Sequence, residues 1–289
     1  MPAVVNNSER LEYVLCCDSA DLYAWILQNT DHSYSRNNDY TRSVDMMIRD
    51  SNVRLTFVHR ASTKKMYDSY THNFLKNTAG TPDYILLDDK MEPLICIEDS
   101  KTAPVGNAVI QRMDKIFPLL LDDNIKCRVL YIGPKQGLDK SNNTMRSWPQ
   151  SWFYKSFAKN REDSFMLLEP GESICTHVLG QIKHSIEQHM MGHTIQKQAV
   201  TREELLVLHN SMVKNIRTYS GSTFNGKLFK PNGADAHPIQ STLMMISETR
   251  NALRLTPIRI ETKKDHKERL LKSSAKRLCK IKERQPVIV

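Results

Sequence analysis

Between residues 82 and 134 the hydrophobic period of the chain changes twice, from strand to helix and back, and this succession constrains the fold more tightly than any other feature of the sequence. Pro82-Asp-Tyr-Ile-Leu-Leu-Asp-Asp-Lys-Met-Glu-Pro-Leu-Ile-Cys-Ile-Glu-Asp-Ser-Lys101 reads as two strands, about 83–88 and 94–101, joined by a polar turn at Asp88-Asp89-Lys90. An antiparallel hairpin is the expected pairing. Val105 to Leu121 then carries Val109, Met113, Ile116 and Leu120 at helical spacing, with Pro118 as a kink or an end. Lys126-Cys-Arg-Val-Leu-Tyr-Ile132 returns to strand character and is closed by Gly133-Pro134. A helix between two strands supplies the crossover that lets the last strand run parallel to its predecessor. The expected fold is therefore α/β, with a mixed central sheet flanked by helices.

Elsewhere the punctuation predicts a helix over 19–29, capped by Asp18 or Ser19 and apolar at Leu22, Trp25 and Ile26. It predicts a second helix over about Arg42 to Asp50 and a strand at Arg54–His59, and it leaves Lys64–Leu75 open. A short strand at 164–168 and a helix over Ile174–Met190 follow. Thr201-Arg-Glu-Glu204 fits a capping box that opens a helix to about Tyr219, with Leu205, Leu208, His209 and Met212 on one side. Pro238–Leu253 reads as a further helix and Pro257–Glu261 as a short strand. The division falls near residue 200: a core over 1–200 and a helical, basic part over 201–289.

The 289 residues are 40% hydrophobic and 25% charged, a globular balance with enough chain to bury a core, so disorder is excluded. No apolar run is long enough for a membrane helix, and the first residues show no basic flank followed by an apolar stretch. The expectation is a cytoplasmic protein without membrane contact. The net charge of +9 suits a polyanionic partner, and residues 263–284 concentrate it, with ten Lys and Arg against three acids. That segment can grip phosphates while Leu270, Leu271, Leu278 and Ile281 dock on the core. The six cysteines form no Cys-x-x-Cys pair and are expected to be reduced thiols. His184, His189 and His193 do not share one helical face and read as ordinary surface residues, and Trp148, Trp152, Phe153 and Tyr154 as a core or interface cluster.

Chemistry concentrates at the hairpin. Asp83 begins one strand; Asp99 and Lys101, two apart, end the other on a common face. Two carboxylates with a backbone carbonyl and waters make an oxygen-rich site suited to Mg²⁺. A lysine beside such a site can position a water and offset charge on a phosphate. Pro82-Asp83, fifteen residues, then Asp99-Ser100-Lys101 resembles the PD-(D/E)XK nuclease signature. The resemblance implies Asp83 and Asp99 as metal ligands, the carbonyl of Ser100 as a further ligand and Lys101 as the catalytic lysine. Glu98 lies on the opposite face of an ideal strand and enters the site only through a bulge.

After Lys101, Gly106-Asn-Ala-Val-Ile-Gln-Arg112, running on to Lys115, is similar to the base-reading stretch of EcoRI-like restriction endonucleases, with one extra residue. This implies Asn107, Gln111, Arg112 and Lys115 as DNA contacts, and Asn, Gln and Arg are chemically suited to reading base edges. Together these resemblances imply a Mg²⁺-dependent Type II restriction endonuclease that cuts double-stranded DNA as a homodimer. Two alternatives stay open: a repair, structure-directed or phage nuclease on the same core, and a non-catalytic nucleic-acid-binding protein.

Overall fold

In the computed structural model the described residues are 10–30, 33–36, 41–75, 81–99, 107–122, 124–134, 161, 165–168, 173–194, 200–220, 243, 245–247 and 249–255. Eight strands form one sheet: β1 (Leu11–Cys17), β2 (Ser33–Arg36), β3 (Arg42–Ile48), β4 (Ser51–His59), β5 (Tyr84–Leu87), β6 (Pro93–Asp99), β7 (Arg128–Pro134) and β8 (Phe165–Leu168). Their order is β2-β3-β4-β1-β5-β6-β7-β8. β1 pairs parallel to β4 and antiparallel to β5, while β6, β7 and β8 run parallel. The sheet is thus mixed and the architecture α/β.

The hairpin forms as its pattern predicts, with Tyr84 opposite Ile97 and Ile85 opposite Cys96. Its turn is fixed by Asp88, whose Oδ1 accepts the backbone N–H of Lys90 and of Glu92 at 2.9 and 2.8 Å. Met91 takes a left-handed φ of 63° there. Among the described residues the helices are α1 (Asp21–Asn29), α2 (Lys64–Leu75), α3 (Asn107–Leu121), α4 (Ile174–Met190) and α5 (Arg202–Ser220), and residues within 243–252 are again helical. Pro118 lies inside α3 without ending it. At α5 the capping box closes: Glu204 N–H donates to Thr201 Oγ1 at 3.2 Å, and Thr201 N–H donates to Glu204 Oε2 at 2.8 Å.

One expectation is overturned. Residues 42–48 are not a helix but strand β3, hydrogen-bonded between β2 and β4. Val44, Met46 and Ile48 are buried at period two, and pairing on both sides decides the conformation. Lys64–Leu75, left open by its sequence, is helix α2, with Tyr67 in the core.

Alternate residues of the strands feed two apolar layers. One packs Cys16, Ile85, Leu87, Cys96 and Tyr131 against Tyr67 of α2, Ile116 and Phe117 of α3, and Leu208 and Met212 of α5. The other packs Leu15, Leu86, Ile95, Ile97 and Ile132 against Leu22 and Ile26 of α1 and Val178, Ile182 and Ile186 of α4. Cys16, Cys17, Cys96 and Cys127 are buried free thiols. No helix among the described residues is long and apolar enough to cross a membrane. The aromatic cluster at 148–154, the segment 257–261 and the basic segment 263–284 lie outside the described residues.

Candidate functional site

The strand directions bring the C-terminal ends of β1, β4, β6 and β7 and the start of β5 to one edge of the sheet. Asp83 immediately precedes β5, and Glu98 and Asp99 end β6. One register step beyond the Tyr84–Ile97 pair, Asp83 stands opposite Glu98. Two main-chain bonds fix it: the Asp99 N–H donates to Asp83 Oδ2 at 2.9 Å, and the Asp18 N–H donates to the Asp83 carbonyl at 3.0 Å.

Alternation along β6 separates its two acids. Cys96 belongs to the layer under α3 and Ile97 to the layer under α4, so Glu98 follows Cys96 and Asp99 follows Ile97. The Tyr84 hydroxyl is hydrogen-bonded to Asp99, and burial first, then the Asp99 charge, drives its pKa well above the phenol range. Glu98 is wholly buried under α3, which runs back across the sheet after β6. It enters the site without a bulge beside it, because the register shift in the hairpin falls at Leu86/Leu87, the far end.

Two cations come down from α3 to meet these acids. Lys115 Nζ donates to both oxygens of Glu98, at 2.7 and 3.0 Å, and lies 3.5 Å from Asp83 Oδ1. Arg112, one turn earlier on the same helix face, places Nη1 3.7 Å from Asp83, 3.7 Å from Glu98 and 3.9 Å from Asp99. Three acids thus face two cations. Burial, reinforced by the Asp83 charge, pushes the Glu98 carboxyl up to about 8 despite the opposing pull of Lys115 and Arg112. Burial alone would lower Lys115, but Glu98 and Asp83 outweigh it and raise its pKa, so the ammonium stays charged.

Beside the cluster, at the same edge, a cleft of about 220 Å³ is lined by Cys17, Tyr23, Arg42, Phe57, His59 and Ser62, among others. The Arg42 guanidinium lies over the Tyr23 ring, 5.1 Å from its centre. Arg60 pairs with Asp18 at 3.4 Å. The edge therefore carries basic and aromatic groups around an acidic centre.

The sequence-derived site is brought together in part. Asp83, Glu98 and Asp99 lie together, but Glu98, expected on the opposite face unless a bulge brought it in, stands opposite Asp83 with no bulge beside it. Ser100 and Lys101 lie outside the described residues, as do the side chains of Asn107 and Gln111, whose backbones open α3. Arg112 and Lys115, read from the sequence as DNA contacts, lie against the carboxylates. Their signal was available in the sequence: the i, i+3 spacing puts both beside Ile116 and Leu119, on the face that must cover the sheet. The donor chemistry of three carboxylates suits a hard divalent cation. As arranged, however, the space between them is taken by Lys115 and Arg112, and no three His, Cys, Asp or Glu among the described residues are gathered to hold a metal. Among the three histidines, His189 instead meets the Tyr13 hydroxyl through Nδ1 at 3.0 Å.

No family model matches the chain. No curated protein matches it either. Among solved structures, the cytosolic domain of the T. maritima FeoB iron transporter in a GDP form is similar at 9% identity and a TM-score of 0.32, over 85% of this chain and 96% of that one. A likeness of that size carries no argument about fold or function.

Proposed function

We propose that this chain is a nuclease, a hydrolase of phosphodiester bonds in double-stranded DNA, acting in the sequence-specific manner of the Type II restriction endonucleases that its motif resembles. The observation that carries the reading is the convergence of Asp83, Glu98 and Asp99 with Arg112 and Lys115 at one sheet edge. Cutting a phosphodiester needs positive charge for the phosphate and a group to accept a proton from water. Arg112 is about a quarter exposed and sits at distances too long for full hydrogen bonds to the acids, so its planar fork keeps donors for a phosphate. Glu98, with its pKa near 8, exchanges a proton close to neutrality. Arg42, His59 and Arg60 extend the basic edge along which a backbone would run.

Mg²⁺ belongs to the proposal through the resemblance; when bound, such an ion supplies positive charge and a polarised water at the phosphate. Lys101 as the catalytic lysine, base contacts from Asn107 and Gln111, a homodimer matched to a palindromic site, and a cytoplasmic location are parts of the same proposal.

The test is incubation of the purified protein with phage-sized duplex DNA, with Mg²⁺ and with EDTA. Discrete fragments that need Mg²⁺ are expected, and Asp83→Ala, Glu98→Ala, Asp99→Ala and Lys101→Ala should each lower cutting by about a hundredfold or more while the folded protein still shifts DNA. A smear would favour a structure-directed or nonspecific nuclease. Intact but shifted DNA would favour a binding protein, and undiminished cutting by all four variants would remove the site assignment.

A further inference from the structure

The start of β3 and the ends of β4 and β1 build one corner of the sheet. Cys17 stands opposite His59 and Arg42 opposite Phe57 in the strand registers, and Phe57 and His59, two apart on β4, share a face. Cys17, Tyr23 and Phe57 belong to the layer under α1 and α4, so the cleft they line with Arg42, His59 and Ser62 is on the reverse side of the sheet from α3 with its Lys115 and Arg112. Its volume of about 220 Å³ is below the roughly 300–1,000 Å³ of pockets for drug-sized molecules, which leaves room for one flat ring system.

The lining suits such a ring. The Tyr23 and Phe57 rings meet edge to face with centres 5.1 Å apart, and both are buried, so the apolar wall is fixed. The Arg42 guanidinium rests on the Tyr23 ring, 5.1 Å from its centre, which holds its fork of N–H donors in place beside the cleft. His59 Nε2 lies 3.1 Å from the Asp18 carbonyl; a carbonyl only accepts, so in the neutral ring this nitrogen carries the hydrogen and Nδ1 is left as an acceptor. The Ser62 hydroxyl addresses Nδ1 at 3.4 Å, too long for a full bond, and the His59 carbonyl, also at 3.4 Å, gives that hydroxyl a second acceptor to turn to.

We propose that this cleft is a pocket for a single nucleobase, selective for bases whose edge carries a carbonyl beside a ring N–H. Guanine and thymine have that edge; adenine and cytosine present an amino group and a bare ring nitrogen instead. Arg42 donates to the base carbonyl, His59 Nδ1 accepts the ring N–H in place of the Ser62 hydroxyl, and the ring lies against the Tyr23 and Phe57 wall. The inference rests on the nuclease reading only for the source of the base, one nucleotide turned out of a strand held along this edge. A free nucleoside offers the same chemistry, and the two sources are separable by experiment.

Thymidine, deoxyguanosine, deoxyadenosine and deoxycytidine are the probes, titrated into the full chain and followed by saturation-transfer NMR. Thymidine and deoxyguanosine should bind about tenfold more tightly than the other two. 3-Methylthymidine, in which a methyl group replaces the ring N–H hydrogen, should lose about the same factor against the unsubstituted protein, so the answer does not depend on a variant folding. Arg42→Gln and His59→Phe should each erase the preference. Equal affinity for all four nucleosides, binding of none, or undiminished binding of 3-methylthymidine would overturn the proposal. The source is read by irradiating the protein with a duplex in which 5-iododeoxyuridine replaces thymidine: a cross-link to the peptide holding Tyr23 or Phe57 is expected. Nucleoside selectivity without that cross-link would overturn the strand as the source and leave a site for free nucleosides. Discrete cutting of DNA by a protein that fails the nucleoside titration would sink this inference and leave the nuclease reading intact. Selective binding and cross-linking by a protein that cuts nothing would do the reverse.

Discussion

Gly133, near the end of β7, shows how closely single residues are fitted here. A Cβ at this position would meet Tyr131 Cε1 at 2.6 Å, because residues two apart on a strand share a face and the Tyr131 ring folds back over the glycine. Tyr131 is completely buried in the layer under α3 and cannot swing into solvent. Gly133→Ala should therefore cost about 1–3 kcal/mol of stability, read as a lower urea midpoint at unchanged slope. A neutral result would mean that the ring has room to move. The same closeness governs the acidic centre: Glu98 was placed by its sequence on the far side of an ideal strand, and the far side proved to be the one that α3 covers. What its neighbours in sequence did not reveal was which face of β6 the next helix would choose.

The start of α5 combines a cap with an ion pair. Glu204 closes the capping box with Thr201 and also receives Arg161 through both oxygens, at 2.7 and 2.8 Å. The Arg161 bond, followed by the Thr201 N–H, holds its carboxyl below the usual range against the opposing effect of burial. An acid with a depressed pKa in the folded state stabilises above its ordinary value and loses that contribution as pH falls through the depressed one. Glu204→Gln should thus lower stability by about 1–3 kcal/mol at pH 7, and the gap should close as acidification takes the folded-state carboxylate through its lowered pKa. A gap of constant size throughout would show that the carboxylate charge is not what matters. This cap was legible because Thr and Glu three apart carry a local mechanism. The hairpin, α3 and β7 were legible for the same reason, their periods being strong within each segment, while α4 was read from a segment of mixed character. β1 and β3 were not: β3 is held by β2 and β4 on either side, and β1 by β4 and β5, partners remote in sequence. The Arg161 partner of Glu204, 43 residues away, left no local trace.

At the scale of the whole molecule, α5 and the helical residues beyond 243 close the layer that α3 begins. Leu208, Met212, Leu243, Met245 and Ile246 all join the buried cluster that contains Ile116 and Phe117. Losing one such side chain costs roughly 2–5 kcal/mol, and a whole domain has only about 5–15 kcal/mol of net stability. A chain ending at residue 200 should therefore lose cooperative unfolding and bind hydrophobic dyes, whereas an unchanged thermal transition would show that this face needs no cover. The sheet order has a consequence of another kind, in time. β1, the earliest described strand to leave a ribosome, lies inside the sheet, and its second neighbour β5 ends only at Leu87. At synthesis rates of about 5–20 residues per second, the apolar run Leu11-Glu-Tyr-Val-Leu-Cys-Cys17 waits several seconds for both sides of its slot to exist. In a living cell, the nascent chain is at its most vulnerable to misassociation in that interval, and a segment destined for the centre of the fold is then a natural client for a holding chaperone.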